Sequence, residues 1–283
     1  MRSRLRATAV SISDAAVPLH SRRLMPVSWT RDGAVVELTL GREPCNEIGL
    51  EMLAELERFL RELDVEATAA LVIHSSVRGG FSAGADLREL YQGLVSTPVG
   101  EQAPAIADFI DRIHTVMDTL DMLPMTTVGV IHGVCFGGGF ELALTCDVLI
   151  AERSARFCFP ELRLGILPGF GGIPRLRRDV SNGLVRDLLL TGRGINAKKA
   201  IAAGLVSQLV PPGEGLNAAR AVAGQATKFD RDALVTTKRF MKPLPRAELD
   251  AEKSHFLRLA AKPALREALA KFVHSDDLRP YLP

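Results

Sequence analysis

The stretch His132-Gly-Val-Cys-Phe-Gly137-Gly138-Gly139-Phe140-Glu141-Leu-Ala143 decides how the rest of this chain is read. Thr126–His132 before it is a short apolar run of strand character, and Phe140–Thr145 reads as a helix. Three consecutive glycines between a strand and a helix let backbone N–H groups approach a ligand closely, at a helix end that favours negative charge. A triphosphate cradle of the G-x-x-x-x-G-K-[ST] kind is excluded, because Phe140-Glu141 occupies the Lys-Ser/Thr positions. The loop suits a developing oxyanion instead.

Upstream, Val36, Leu38 and Leu40 alternate along Ala34–Leu40 as in a half-buried strand. Glu47–Leu63 places Leu50, Leu53, Leu56, Leu60 and Leu63 on one face of an amphipathic helix. Ala69–His74 is another short strand, ended by Gly79-Gly80. A polar stretch, Ser96–Pro104, precedes a longer helix carrying Ile106, Ile110, Ile113, Met117 and Leu120. Downstream, Asp147–Ala151 and Arg156–Phe159 read as strands and Pro160–Pro174 as a loop; beyond Asn182 only Val206–Val210 is extended. Strands alternating with helices imply an α/β core. The expected organisation is an Arg-rich extension over residues 1–25, a core over 26–192 and a helical C-terminal region over 193–283.

With 283 residues, 47% hydrophobic and 24% charged, the chain has the composition of an ordinary globular protein with a sizeable core. Its net charge of +2 excludes a nucleic-acid coat, and no apolar run reaches membrane-span length. Residues 1–25 alone contribute +4, from five arginines and one acid, so residues 26–283 sum to −2. This tail has the marks of a transit peptide, but a loose extension and a cytoplasmic location are the expectation. Cys45, Cys135, Cys146 and Cys158 show no paired spacing, so a reduced state with no disulfide framework and no metal site is expected.

Gly80-Phe81-Ser82-Ala83-Gly84 is a literal G-x-S-x-G, which would make Ser82 a nucleophile. That elbow needs a strand directly before it, and the strand here is expected to end near His74. Gly192-Arg-Gly194-Ile-Asn-Ala197 matches G-x-G-x-x-A but follows a helical stretch, which argues against a nicotinamide cofactor. Glu161, beside Pro160 and apolar residues, sits where desolvation could raise its pKa, although a lone glutamate is more often a solvated surface group.

Four segments in order carry a resemblance: Phe81-Ser-Ala-Gly-Ala-Asp-Leu87; the glycine stretch; Pro160-Glu-Leu-Arg-Leu-Gly-Ile-Leu-Pro-Gly-Phe-Gly-Gly172; and Leu190-Thr-Gly-Arg-Gly-Ile-Asn-Ala197 running to Val206. Together they resemble the enoyl-CoA hydratase/isomerase family, the crotonase superfamily. The resemblance implies a spiral of ββα units with a helical C-terminal region that drives trimerisation, as a homotrimer or a dimer of trimers. It implies an acyl-CoA substrate, coenzyme A being part of that substrate rather than a separate cofactor. The oxyanion-hole N–H groups fall on Ala85 and Gly138, and the acid/base glutamates on Glu141 and Glu161. The substrate wall maps to Phe81, Ser82, Ala83, Gly84, Asp86, Leu87, Gly137, Pro160 and Gly169, with adenine against the backbone of Phe81 to Ala83. The implied reaction is reversible addition of water to a trans-2-enoyl-CoA in fatty acid metabolism. The alternative is another enolate reaction of the superfamily: isomerisation, C–C cleavage or a specialised hydration. The chain departs from the family at Gly41–Ile48, at His132 and at Phe272-Val-His-Ser-Asp276. The last leaves Lys253, Arg258, Lys262, Arg266 and Lys271 as unranked candidates for the CoA phosphates.

Overall fold

The structure, a computed structural model, describes residues 25–275. Except for Met25, the Arg-rich extension lies outside the described residues. The chain begins with a hairpin, β1 (Val27–Asp32) and β2 (Val35–Leu40), followed by α1 (Leu50–Glu62). Next come β3 (Ala70–Ser75), β4 (Gly80–Ser82), α2 (Leu87–Ser96) and α3 (Val99–Met122). The pattern repeats with β5 (Thr126–Ile131), β6 (Val134–Phe136) and α4 (Gly138–Ala143). Then follow β7 (Val148–Glu152), β8 (Arg156–Cys158), a 3-10 turn at Glu161–Leu164, α5 (Gly172–Asp179) and α6 (Asn182–Thr191). The C-terminal region holds β9 (Ile195–Asn196), α7 (Ala197–Ala202), β10 (Gln208–Val210), α8 (Gly215–Ala226), α9 (Arg231–Met241), α10 (Arg246–Ala260) and α11 (Pro263–His274).

In three successive units the first strand joins one sheet and the second joins another. The large sheet has the order β1-β2-β3-β5-β7-β10 and the small one β4-β6-β8-β9. Within the large sheet β2, β3, β5, β7 and β10 are parallel; only β1 runs antiparallel. In the small sheet β4, β6 and β8 are parallel and β9 antiparallel. This is the ββα spiral.

The strand sequences follow from burial on both faces. Along β3, Leu71 and Ile73 enter the main core with α1 and α3. Ala70 and Val72 face the opposite way, onto Ala219, Ala223 and Ala226 of α8. Cys135, Cys146 and Cys158 are free and buried, and Cys45 is free and half-buried.

Several elements are not legible in the sequence, β1 and the joint between α2 and α3 among them. In β1 only Val27 is buried, so Val-Ser-Trp-Thr-Arg-Asp shows no apolar alternation; pairing with β2 makes the strand. The polar stretch Ser96–Pro104 joins two helices and itself supplies the end of α2 and the start of α3. Asp86 caps α2, its Oδ1 accepting from the Glu89 N–H at 2.9 Å. α3 starts at Val99 and runs through the exposed Pro104. The Gln102 side chain ties the joint by donating to the carbonyls of Leu94 (2.8 Å) and Thr97 (3.0 Å).

Candidate active site

The parallel neighbours β4, β6 and β8 each end within three residues of a group that faces one cavity: Ala85, Gly138 and Glu161. The cavity measures about 360 Å³ and runs from Glu141 and Glu161 outward between α2 and α3.

Each of the three glycines in the deciding stretch answers a close approach. A Cβ on Gly137, whose φ is +48°, would stand 2.6 Å from Glu161 Oε1. On Gly138 it would meet the Phe170 ring at 2.5 Å, and on Gly139 the Ser82 Cβ at 2.5 Å. Gly138 is the first residue of α4, so its N–H has no partner within the helix. Among the described residues neither it nor the Ala85 N–H donates to a protein acceptor. The two lie close together: a Cβ on Gly138 would stand 3.5 Å from the Ala85 nitrogen.

Glu141 projects from the first turn of α4 into the loop before α5. Its Oε1 accepts from the N–H groups of Phe170 and Gly172, each at 2.8 Å. Burial pushes its carboxyl up to about 7, against the pull of those two N–H groups and of Arg175. Glu161 opens the 3-10 turn and is also buried, but its Oε2 has no hydrogen-bond partner. Burial first, and then the Glu141 and Glu252 carboxylates, push Glu161 well above the usual carboxylate range. The two glutamates therefore occupy different settings. Glu141 accepts from two N–H groups of the facing loop, whereas Glu161 has only its own backbone N–H against burial and one oxygen without a partner.

The third carboxylate, Glu252, was missed. It lies on the inward stripe of α10 with Leu249, Phe256 and Ala260. Its Oε2 accepts from the Ile173 N–H at 2.8 Å, while its Oε1 is buried without a partner. Burial, then Glu141, raise its pKa. The only trace in the sequence is an acid at a position where the helical period calls for an apolar residue.

Behind the Phe170–Ile173 loop stands Arg175, with its side chain fully buried. It donates to Asp121 (2.8 Å), to Asp118 (2.5 Å) and to the carbonyls of Phe170 (3.3 Å) and Gly171 (3.1 Å). His114 of α3 pairs with the Gly169 carbonyl at 2.9 Å. The loop that holds Glu141 is thus fastened from α3, α5 and α10.

Of the expected substrate wall, Ala83, Asp86, Leu87, Gly137, Pro160 and Gly169 line the cavity, together with the expected oxyanion residues Ala85 and Gly138 and the glutamates Glu141 and Glu161. Phe81, Ser82 and Gly84 do not; they are buried beneath it. The N–H groups of Phe81 and Ala83 are committed to the carbonyls of His132 and Cys45. Helical residues of the wall such as Leu90, Ile106, Phe109 and Phe256 were not singled out, because an apolar stripe reads the same whether it meets a core or a cavity.

Ser82 is no elbow nucleophile. A short strand does precede it, but its hydroxyl donates to the Asn46 carbonyl at 2.7 Å and accepts from the Gly84 N–H at 3.1 Å. Asn46 in turn donates to Phe81 O (2.9 Å) and to Ser75 Oγ (2.8 Å), pinning β4. Ser82→Ala strands two buried backbone groups and should lower unfolding free energy by about 1–3 kcal/mol in a urea titration. A fluorophosphonate probe should leave the wild-type Ser82 unlabelled; labelling would contradict this reading. Gly192-Arg-Gly194-Ile-Asn-Ala197 is likewise no dinucleotide loop: Gly192 ends α6 and Asn196 caps α7. Among the described residues no cluster of His, Cys, Asp or Glu could hold a metal ion, and no helix is long and apolar enough to cross a membrane.

The family model described as enoyl-CoA hydratase/isomerase matches residues 30–277. The chain belongs to this family. It is 38% identical to the human mitochondrial methylglutaconyl-CoA hydratase over 47% of this chain and 37% of that protein. It is 32% identical to the short-chain-enoyl-CoA hydratase of Clostridium acetobutylicum over 60% of this chain and 63% of that one. Three further bacterial relatives are matched over 60–65% of their length, so the chain spans less than two thirds of these curated relatives. The crystal structure of an enoyl-CoA hydratase from Bacillus anthracis superposes with a TM-score of 0.70 at 28% identity, covering 89% of this chain and 92% of that one.

Proposed function

We propose that this protein is an enoyl-CoA hydratase adding water reversibly across the double bond of a trans-2-enoyl thioester. One observation carries the reading: two buried glutamates, one held by two N–H groups of the facing loop and one with an unpartnered oxygen, line one cavity with two unpartnered backbone N–H groups. The Ala85 and Gly138 N–H groups hold the thioester oxygen as it becomes an enolate, where preorganised donors act most strongly. Glu141, whose ionised form is held by two N–H groups, takes a proton from water as the water oxygen bonds to C3. The C2–C3 electron pair moves onto the enolate, and Glu161, kept protonated by its dry setting, delivers its proton to C2. One turnover leaves Glu141 protonated and Glu161 ionised; proton exchange resets the pair.

Loss of enoyl absorbance from crotonyl-CoA tests the reading, and no turnover of any enoyl thioester would sink it. The rate should be bell-shaped in pH. It rises through about pH 7 as Glu141 ionises and falls at higher pH as Glu161 loses its proton. The limbs belong to the coupled pair rather than to either residue. A flat profile from pH 6 to 9 would contradict the division of roles.

Assembly as a homotrimer or dimer of trimers is part of the proposal. It is supported by the apolar surface at Leu190, Phe240 and Met241, of which Phe240 is 88% exposed. A cytoplasmic location and a role in fatty acid metabolism belong to the same reading.

A further inference from the structure

The lining of the cavity says which acyl groups it accepts. From α2 come Leu87, Leu90 and Leu94, and from α3 Ile106, Phe109 and Ile110, two apolar stripes facing each other. Ser96, Thr97 and Gln102 of the joint between the two helices also line the cavity. An apolar cavity of about 150 Å³ holds a benzene ring, so at similar packing 360 Å³ holds on the order of a dozen carbon atoms. A four-carbon acyl group would leave most of that space unfilled.

The ionisable groups on the lining are all acids, and one of them, Asp86, is already paired with Arg42. Asp86, Glu89, Glu141 and Glu161 line the cavity, and no Arg, Lys or His does. The nearest buried cation behind the loop, Arg175, is consumed by Asp118, Asp121 and two carbonyls. A carboxylate carried into this cavity on the acyl chain would be desolvated with no cation on the lining to pair with, Arg42 being held by Asp86, and would face Glu89 and Glu141.

Resting on the hydratase reading, we infer that the site selects neutral aliphatic enoyl thioesters of about eight to twelve carbons and rejects acyl groups ending in a carboxylate. The class follows from filling an apolar channel: each methylene bound there gains discrimination, while an unpaired charge loses it.

The test is a panel of CoA thioesters on the full-length protein: crotonyl, trans-2-octenoyl, trans-2-dodecenoyl and trans-2-octenedioyl, the last matching octenoyl in length but ending in a carboxylate. Expected is a kcat/KM for octenoyl or dodecenoyl about tenfold or more above crotonyl, and for octenoyl about tenfold or more above octenedioyl. Ile106→Trp, which fills the channel between α2 and α3, should lower dodecenoyl turnover about tenfold more than crotonyl turnover. Crotonyl as the best substrate, or octenedioyl within about twofold of octenoyl, overturns the inference and leaves the hydratase reading intact. If nothing is hydrated, calorimetric binding of butyryl-, dodecanoyl- and carboxyl-ended octanoyl-CoA decides separately. The same order of affinity supports the inference without the hydratase reading, and equal affinities refute it.

Discussion

Replacing Glu161 with glutamine is expected to lower kcat by about 10²–10⁴-fold with little change in KM. The amide keeps the shape of the side chain but has no acidic proton, and Glu161 Oε2 has no protein partner whose loss could unfold the loop. Glu141→Gln should fall in the same range, because the amide oxygen can still accept from Phe170 and Gly172 while its basicity is gone. The double variant should lose far less than the product of the two, since groups acting as a unit are not additive. Crotonyl-CoA or octenoyl-CoA hydration by purified protein measures all three. Wild-type rates in both single variants would remove the glutamates from the mechanism.

The second large effect falls on stability. Arg175→Met should lower the unfolding free energy by about 3 kcal/mol or more, read as a drop in urea midpoint at constant m. The methionine fills the volume but leaves Asp121, which is fully buried, with only Arg178 (3.1 Å) and Lys242 (2.8 Å). Burial alone would raise the Asp121 carboxyl; Lys242, Arg178 and Arg175 outweigh it and hold it below its ordinary value. Its contribution is therefore present above the ordinary Asp range and is lost as pH falls through the lowered one. Arg175→Lys should rescue only part, because an ammonium cannot span two carboxylates and two carbonyls as the guanidinium fork does. A loss below about 1 kcal/mol would show that the clamp is dispensable.

The three buried glutamates act with the opposite sign. Their carboxyls are raised on folding, chiefly by burial, so they weaken the fold as pH rises from the ordinary Glu range through the raised values. Carboxylates kept dry for chemistry thus draw on stability that the Arg175 cluster supplies next door.

The parts of this protein legible in its sequence are those built from local signals. Alternation in Val35–Leu40, the apolar stripe of α1 through Leu53 and Leu56 and the Gly137–Gly139 turn each encode their own conformation, and the order of the motifs carries the spiral. Leu50, expected on the α1 stripe, is exposed, and Met52 and Phe59 complete the buried face. Glu252 shows where that reading stops. It lies 91 residues beyond Glu161, inside a helix with no motif, and only the docking of α10 onto α3 and α5 brings it to the loop. The α2–α3 joint escaped for another reason: Pro104 and the polar residues around it look like a loop until Gln102 is seen closing it. Ser82 is the converse, a local motif whose meaning was cancelled by tertiary hydrogen bonds.

The three parallel strands that end at the site also act as a ruler. Hydrogen-bonded neighbours β4, β6 and β8 sit a fixed step of about 4.8 Å apart, and the reactive groups follow within three residues of their ends. Their mutual spacing is therefore indifferent to the length of chain looping out between β4 and β6, where α2 and α3 line the cavity. The joint of that insert, around residues 96–102, can be recut to reshape the cavity, whereas His114, Asp118 and Asp121 of α3 must stay, because they fasten the loop that holds Glu141. For an engineer, the α2–α3 joint is the adjustable part of this site and the small sheet its fixed gauge.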